Sequence, residues 1–257
     1  MKRGKRIGIL AAGAAMAFGL FGCGEKEMTA YERYEAVQKQ IREAGGMEYD
    51  TDSNIKMKMS GIGIDLDMDM KTILEGEMSS EDLKFYTELG MNFLGQELDM
   101  KMWYSDGMYY MNAMDQKVCY PVNFSAVQEQ IGNQAPASGL SEEDFKSLDV
   151  EKDGENYRIL YTADGEQMEE MIQSALGAAG TSLDMDLKME DMSGTLVVDK
   201  ENRPVSAQAA VKGEAVIQGQ QAEMEITVDM TYKDLGKEVQ VELPDPEEYQ
   251  KIEAPAA

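Results

Sequence analysis

The 257-residue sequence contains no histidine. That absence removes imidazole as general base or metal ligand, and with it the usual hydrolase triads built within one chain. Cysteine is nearly absent as well: Cys23 and Cys119 stand alone, so no internal disulfide framework is expected. There are six prolines and one tryptophan, Trp103. Basic residues are scarce, with 24 Lys and Arg against 49 Asp and Glu and a formal charge of -25. Such a chain repels nucleic-acid backbones and anionic lipid surfaces, so no nucleic-acid partner is expected. Its apolar stretch 7–21 falls short of the roughly 20 residues that span a bilayer comfortably. Asp/Glu, Ser/Lys or Tyr chemistry remains open in principle, but no nucleophile or cofactor motif is present. The reading is therefore of a protein that is not an enzyme, with no catalytic residue, no cofactor and no metal.

What is present begins with Lys2, Arg3, Lys5 and Arg6 ahead of that apolar stretch, the basic and hydrophobic regions of an export signal. It ends in Leu20-Phe21-Gly22-Cys23, which resembles the lipobox of bacterial lipoproteins, although Phe21 is bulkier than the residue usual there. The resemblance implies cleavage after Gly22 and lipidation of Cys23 by a diacylglyceryl group. At roughly 0.8 kcal/mol per buried methylene, two acyl chains hold a protein on a membrane without a spanning helix. Residues 1–22 are thus expected to be a lipoprotein signal peptide and 23–28 a lipidated tether. The location expected is the cell membrane, lipid-anchored and facing outside the cytoplasm; an ordinary secreted protein cut elsewhere is the alternative. The four basic residues leave with the signal, so the remainder is more acidic than the whole. Cys119 reads as a small core hydrophobe, or else as a reactive thiol.

Behind the tether, Thr29-Ala30-Tyr31-Glu32 forms a capping box, and Tyr34, Val37 and Ile41 give a helix an apolar face before Gly45-Gly46. From about Met47 the period becomes two. Ile55, Met57 and Met59 alternate with lysines and serine, and Leu66, Met68 and Met70 alternate with Asp65, Asp67 and Asp69. Phe85 to Phe93 and Leu98 to Tyr104 read as an antiparallel pair around Gly95-Gln96, and Asp106-Gly107 marks a further turn. Strands over 108–114 and 117–120 follow, then a short helix marked by Phe124, Val127 and Ile131, and a loop over 132–139. The scheme recurs with a strand over 157–162, a helical stripe from Met168 to Ala179, and strands around Met185–Met189, 205–211, 224–232 and 239–243. The tail from Pro244 reads as flexible, acidic and proline-bearing.

A helix followed by strands with one apolar face, occurring twice, points to an α+β domain over 29–243. The expected architecture is a strongly curved antiparallel sheet, an unclosed half-barrel with helices on its concave face, made of two related helix-plus-sheet halves. Most strand methionines fall on the apolar face, where a flexible, polarizable side chain either fills core space or adapts to a ligand. The candidate cavity lining is Met57 and Met59; Met68 and Met70; Leu89 and Met91; Met100 and Met102; and Met224, Ile226 and Met230. Period alone does not separate a packed stripe from a hollow one. The acidic alternations Asp65-Asp67-Asp69 and Asp184-Asp186 lack the turn and ligand positions of a Ca²⁺ loop and read chiefly as a solvated face. Trp103, Tyr104, Tyr109, Tyr110 and Tyr120 form the densest aromatic region, either core and rim packing or a contact for a polymer or protein.

The lipobox, the helix at 29–44, the stretch Leu98-Asp99-Met100-Lys101-Met102-Trp103-Tyr104, the segment Asp106-Gly107-Met108-Tyr109-Tyr110-Met111 and Gln116-Lys117-Val118-Cys119-Tyr120-Pro121 together resemble an uncharacterised family of Gram-positive bacterial lipoproteins. That family is similar to the LolA/LppX-like lipoprotein-carrier fold. The resemblance implies a sheet-and-helix compartment able to hold lipid, and brings no catalytic residues. The function expected is a membrane-anchored extracytoplasmic lipoprotein that binds a hydrophobic or amphiphilic, lipid-like ligand in a Met-lined cavity. The alternative is a cell-envelope interaction or structural module with a fully packed core.

Overall fold

A computed structural model describes residues 28–59, 62–93, 95–114, 116–132, 139–167, 169, 185–217, 220–236 and 239–254. Cys23 and the helical stripe from Met168 to Ala179 lie outside them, apart from Glu169.

Helix α1 (Ala30–Arg42) starts where the capping box places it: Glu32 N–H donates to Thr29 Oγ1 at 3.1 Å, and Thr29 N–H donates to Glu32 Oε2 at 2.7 Å. Lys39 and Arg42 in its last turn complement the helix dipole. Six strands then run as a meander: β1 (Gly46–Met59), β2 (Ile62–Glu75), β3 (Lys84–Phe93), β4 (Gln96–Ser105), β5 (Met108–Ala113) and β6 (Gln116–Pro121). Asp106 and Gly107, both at positive φ, make the two-residue β4–β5 turn. Helix α2 (Phe124–Gly132) follows. After it come β7 (Phe145–Asp153), β8 (Asn156–Ala163), β9 (Met185–Met189), β10 (Met192–Val198), β11 (Pro204–Ile217), β12 (Gln220–Leu235) and the two-residue β13 (Gln250–Lys251).

All thirteen described strands belong to one sheet in the order β13-β6-β5-β4-β3-β2-β1-β12-β11-β10-β8-β7, with β9 pairing the edge of β11 beyond β10. β1 and β12 form the long seam, paired from Met47 with Leu235 to Met59 with Ala222. The fold is α+β, but the expected architecture is corrected. The sheet is open and mixed, ends on β13 and β7, carries the parallel pair β13–β6, and is neither closed nor strongly curved; among the described residues the helices are few and short. Nor is it two related helix-plus-sheet halves: the meander β1–β6 runs unbroken, whereas β9 stands off the path of the second set. Period-two alternation tells which face is apolar. It does not encode curvature, which depends on twist and bulges.

The largest core among the described residues lies where α1 and α2 meet one end of the inner face. Tyr34, Val37 and Ile41 of α1 and Val127 and Ile131 of α2 pack with Met47, Tyr49, Leu74, Phe85, Tyr104 and Tyr109. Ring contacts link Phe85 to Tyr104 at 5.8 Å and to Tyr109 at 5.6 Å. Arg33 is buried, lies 3.6 Å over the Tyr157 ring and hydrogen-bonds Asn202, so α1 is pinned to the second set of strands as well. A second cluster joins Tyr161, Ala163, Leu187, Met189, Met192 and Val211 on β8–β11.

Candidate ligand-binding face

Antiparallel register arranges the inner face into rows that cross the sheet. The row Tyr109-Tyr104-Phe85-Leu74-Met47 is aromatic and buried under the helices. The next is polar: Thr87, Thr72 and Tyr49 are almost fully buried, and Thr72 and Thr87 hydroxyls lie 3.3 Å apart. Beyond it run Met100-Leu89-Met70-Thr51-Met230 and then Leu98-Met91-Met68-Ser53-Val228. Further out lie Leu66-Ile55-Ile226 and Ile64-Met57-Met224. Burial declines along this series: except for buried Thr51 and Met230, the residues named in these outer rows are half-buried.

The candidate lining divides three ways. Met230 belongs to the main core, and Met70 and Met102 pack against it. Met57, Met224 and Ile226 pack against the second cluster. Met68, Leu89, Met91 and Met100 are half-buried on β2–β4 and belong to neither cluster. Met59 is paired with Ala222 and Ile62 in the sheet; its side chain is outside the described set. At the outermost level a groove of about 910 Å³ crosses five strands, its lining centred on Ile64, Met57, Met224, Gly213 and Met189 and flanked by charged neighbours such as Lys56 and Glu225.

Polar groups on this face were not singled out by the sequence reading. Tyr49, Thr51 and Ser53 continue the phase of Ile55 and Met57, so period two itself carried the signal. Burial pushes the Tyr49 phenol up to about 12, against the opposing hydrogen bond from Thr72. Tyr34, Tyr161 and Tyr232 are raised further, first by burial, with the nearby phenols adding to it. All four stay protonated at neutral pH.

The outer face is charged. Asp69, Asp52 and Asp229 stand side by side on β2, β1 and β12. Asn54 Nδ2 donates to Asp65 at 2.7 Å and Asp67 at 2.6 Å, so these carboxylates already have a partner. Of the predicted aromatic group, Tyr104 and Tyr109 point into the core, whereas Trp103 and Tyr110 lie on the outer side against Tyr249. Cys119 is buried beside them. Among the described residues no group of three or more His, Cys, Asp or Glu side chains is placed to hold a metal ion, and no helix is long and apolar enough to cross a membrane.

The described residues thus define an open β-sheet protein whose inner face is packed by helices at one end and lined by half-buried aliphatic and methionine side chains toward the other. The chain belongs to the family of unknown function DUF6612, which matches it over residues 32–247. Among solved structures it is similar to the Mycobacterium tuberculosis lipoprotein LppX, at 9% identity over 83% of this chain and 98% of that one, with a TM-score of 0.42. It is also similar to lipovitellin, at 10% identity over 79% of this chain and 26% of that one, TM-score 0.41. A third likeness is to a putative outer membrane lipoprotein-sorting protein domain from Vibrio parahaemolyticus, at 11% identity over 85% and 97%, TM-score 0.25. The comparison with curated proteins finds no match.

Proposed function

We propose that this protein is a membrane-anchored extracytoplasmic lipoprotein that binds a hydrophobic or amphiphilic ligand on the inner face of its sheet, without catalysis. The observation that carries the reading is the half-buried group Met68, Leu89, Met91 and Met100, which lies beyond both buried clusters. Contiguous apolar surface left partly open on a soluble domain is a binding feature, and methionine suits ligands of variable shape. The anchor is Cys23, reached from the export signal at 1–22 through a short tether.

Native mass spectrometry of the mature protein purified from its own host tests the binding reading. A copurifying apolar molecule is expected, displaced by a fluorescent hydrophobe. A protein that carries nothing and binds no hydrophobe defeats it. For the anchor, Cys23→Ala should move the protein out of the membrane fraction; unchanged attachment would refute lipidation there.

A further inference from the structure

Met28 is fixed to one end of the sheet. Its Sδ accepts from Asn202 Nδ2 at 3.6 Å, and Asn202 Oδ1 in turn accepts from the buried Arg33 of α1. Asn202 stands in the turn between β10 and β11, where Pro204 pairs with Val198. That turn lies at the helix-packed end, beside the close of β12, whose Leu235 pairs with Met47. Cys23 precedes Met28 by five residues, a reach of at most about 17 Å.

The half-buried apolar rows open toward the other end. β1 runs 14 residues from Gly46 to Met59, about 45 Å at roughly 3.3 Å per residue. At that far end β1 meets β2, β3 meets β4 and β11 meets β12, and Lys58, Gln96, Glu97, Gln221 and Glu223 are exposed there. A tip that enters lipid presents exposed aliphatic or aromatic side chains. Among the described residues the exposed large apolar side chains are Met114, Val150, Val205 and Leu243. None of them lies at these strand ends, and Val205 instead follows the Asn202 turn. The acidic excess of the chain adds repulsion from an anionic bilayer.

Resting on the Cys23 anchor and the binding function above, we propose that the domain stands on the membrane by its helix-packed end, with the methionine rows opening away from the bilayer. The ligand is taken up and released at the far strand ends, on the side turned away from the anchoring membrane.

The test places the full lipidated chain in phosphatidylglycerol vesicles containing phosphatidylcholine spin-labelled at its headgroup, with a fluorophore on Lys200→Cys or on Gln96→Cys. Both positions are exposed, and Cys119 is buried and escapes labelling. Gln96 shares the inner-face phase of Leu98 and Met100, at the mouth of the rows. Quenching should be severalfold stronger at position 200 than at 96. A poly(ethylene glycol) chain coupled to the same cysteines should slow uptake of a fluorescent hydrophobe severalfold from position 96 and leave it unchanged from 200. Equal or stronger quenching at 96, quenching at neither position, or uptake indifferent to the polymer at 96 each overturns the inference. Uncoupled protein that takes up no hydrophobe removes the binding function and the ligand route with it, while quenching still decides the orientation. A Cys23→Ala protein that stays on the vesicles removes the anchor and the inference together.

Discussion

Trp103 Nε1 donates a 3.0 Å hydrogen bond to the carbonyl oxygen of Glu242, tying the end of the chain across the outer face of β4. Around this bond Tyr249 sets its ring against Trp103 at 6.3 Å and Tyr110 at 5.4 Å, Val241 N–H reaches Glu75 Oε2 at 2.8 Å, and Ile252 N–H reaches the Cys119 carbonyl at 2.9 Å. The segment from 239 is therefore a strap that shields an aromatic row and covers the edge of β6.

Tyr249→Ala should destabilise the protein by about 1–3 kcal/mol in urea unfolding, since its ring is 9% exposed and packed on two aromatics. Ending the chain after residue 238 should go further, exposing the β6 edge and producing concentration-dependent association in light scattering. A truncated protein that stays monodisperse with an unchanged midpoint would show that the strap does not protect the edge.

Gly194 is required by the ring above it. Gly194→Ala should cost about 2–4 kcal/mol, because the Tyr161 ring and the Gln208 carbonyl occupy the space a β-carbon needs. In a Tyr161→Ala background the same change should cost at least about 1 kcal/mol less, with the carbonyl clash remaining. Additive effects in that cycle would exclude the contact as the cause.

Asp52 makes a pH prediction. Burial, and then the hydrogen bond and charge of Asp69 with the charges of Asp50 and Asp229, hold its carboxyl above the ordinary value of 3.8. The folded state thus binds this proton more readily than the unfolded chain. The strain is fully present above the raised folded value and is relieved as pH falls through it toward 3.8. Asp52→Asn should raise stability at pH 7 by about 0.5 kcal/mol, the scale of a like-charged cross-strand pair. The gain should shrink on acidification, read as converging thermal midpoints of variant and wild type between pH 7 and pH 4. A constant offset would assign the effect to something other than ionisation.

How much of this was legible in the sequence depended on the range of the signal. The Thr29–Glu32 cap, the two-residue Asp106–Gly107 turn and the alternation from Ile55 to Met70 are local, and each reappears in the structure. The seam between β1 and β12 joins residues about 180 positions apart, and no local pattern announces it. Without that pairing Thr51 has no Met230 beside it, and the polar band stays hidden. The strap was missed for a related reason: Pro244 and Pro246 signal irregular backbone, but not that irregular backbone docks on Trp103. Apolar alternation likewise placed the methionines on one face while leaving open which are packed.

That last distinction can be measured residue by residue. Met230 is 2% exposed and sits in the main core, so Met230→Ala should cost about 2–5 kcal/mol. Met91 is half-buried outside both clusters, so Met91→Gln should shift stability by no more than about 0.5 kcal/mol while weakening hydrophobe binding severalfold. Urea unfolding and dye displacement on the same two variants separate the roles. If Met91→Gln proves as destabilising as Met230→Ala, the half-buried rows are structural packing, because a face that reserves apolar surface for a ligand does not depend on that surface for its own fold.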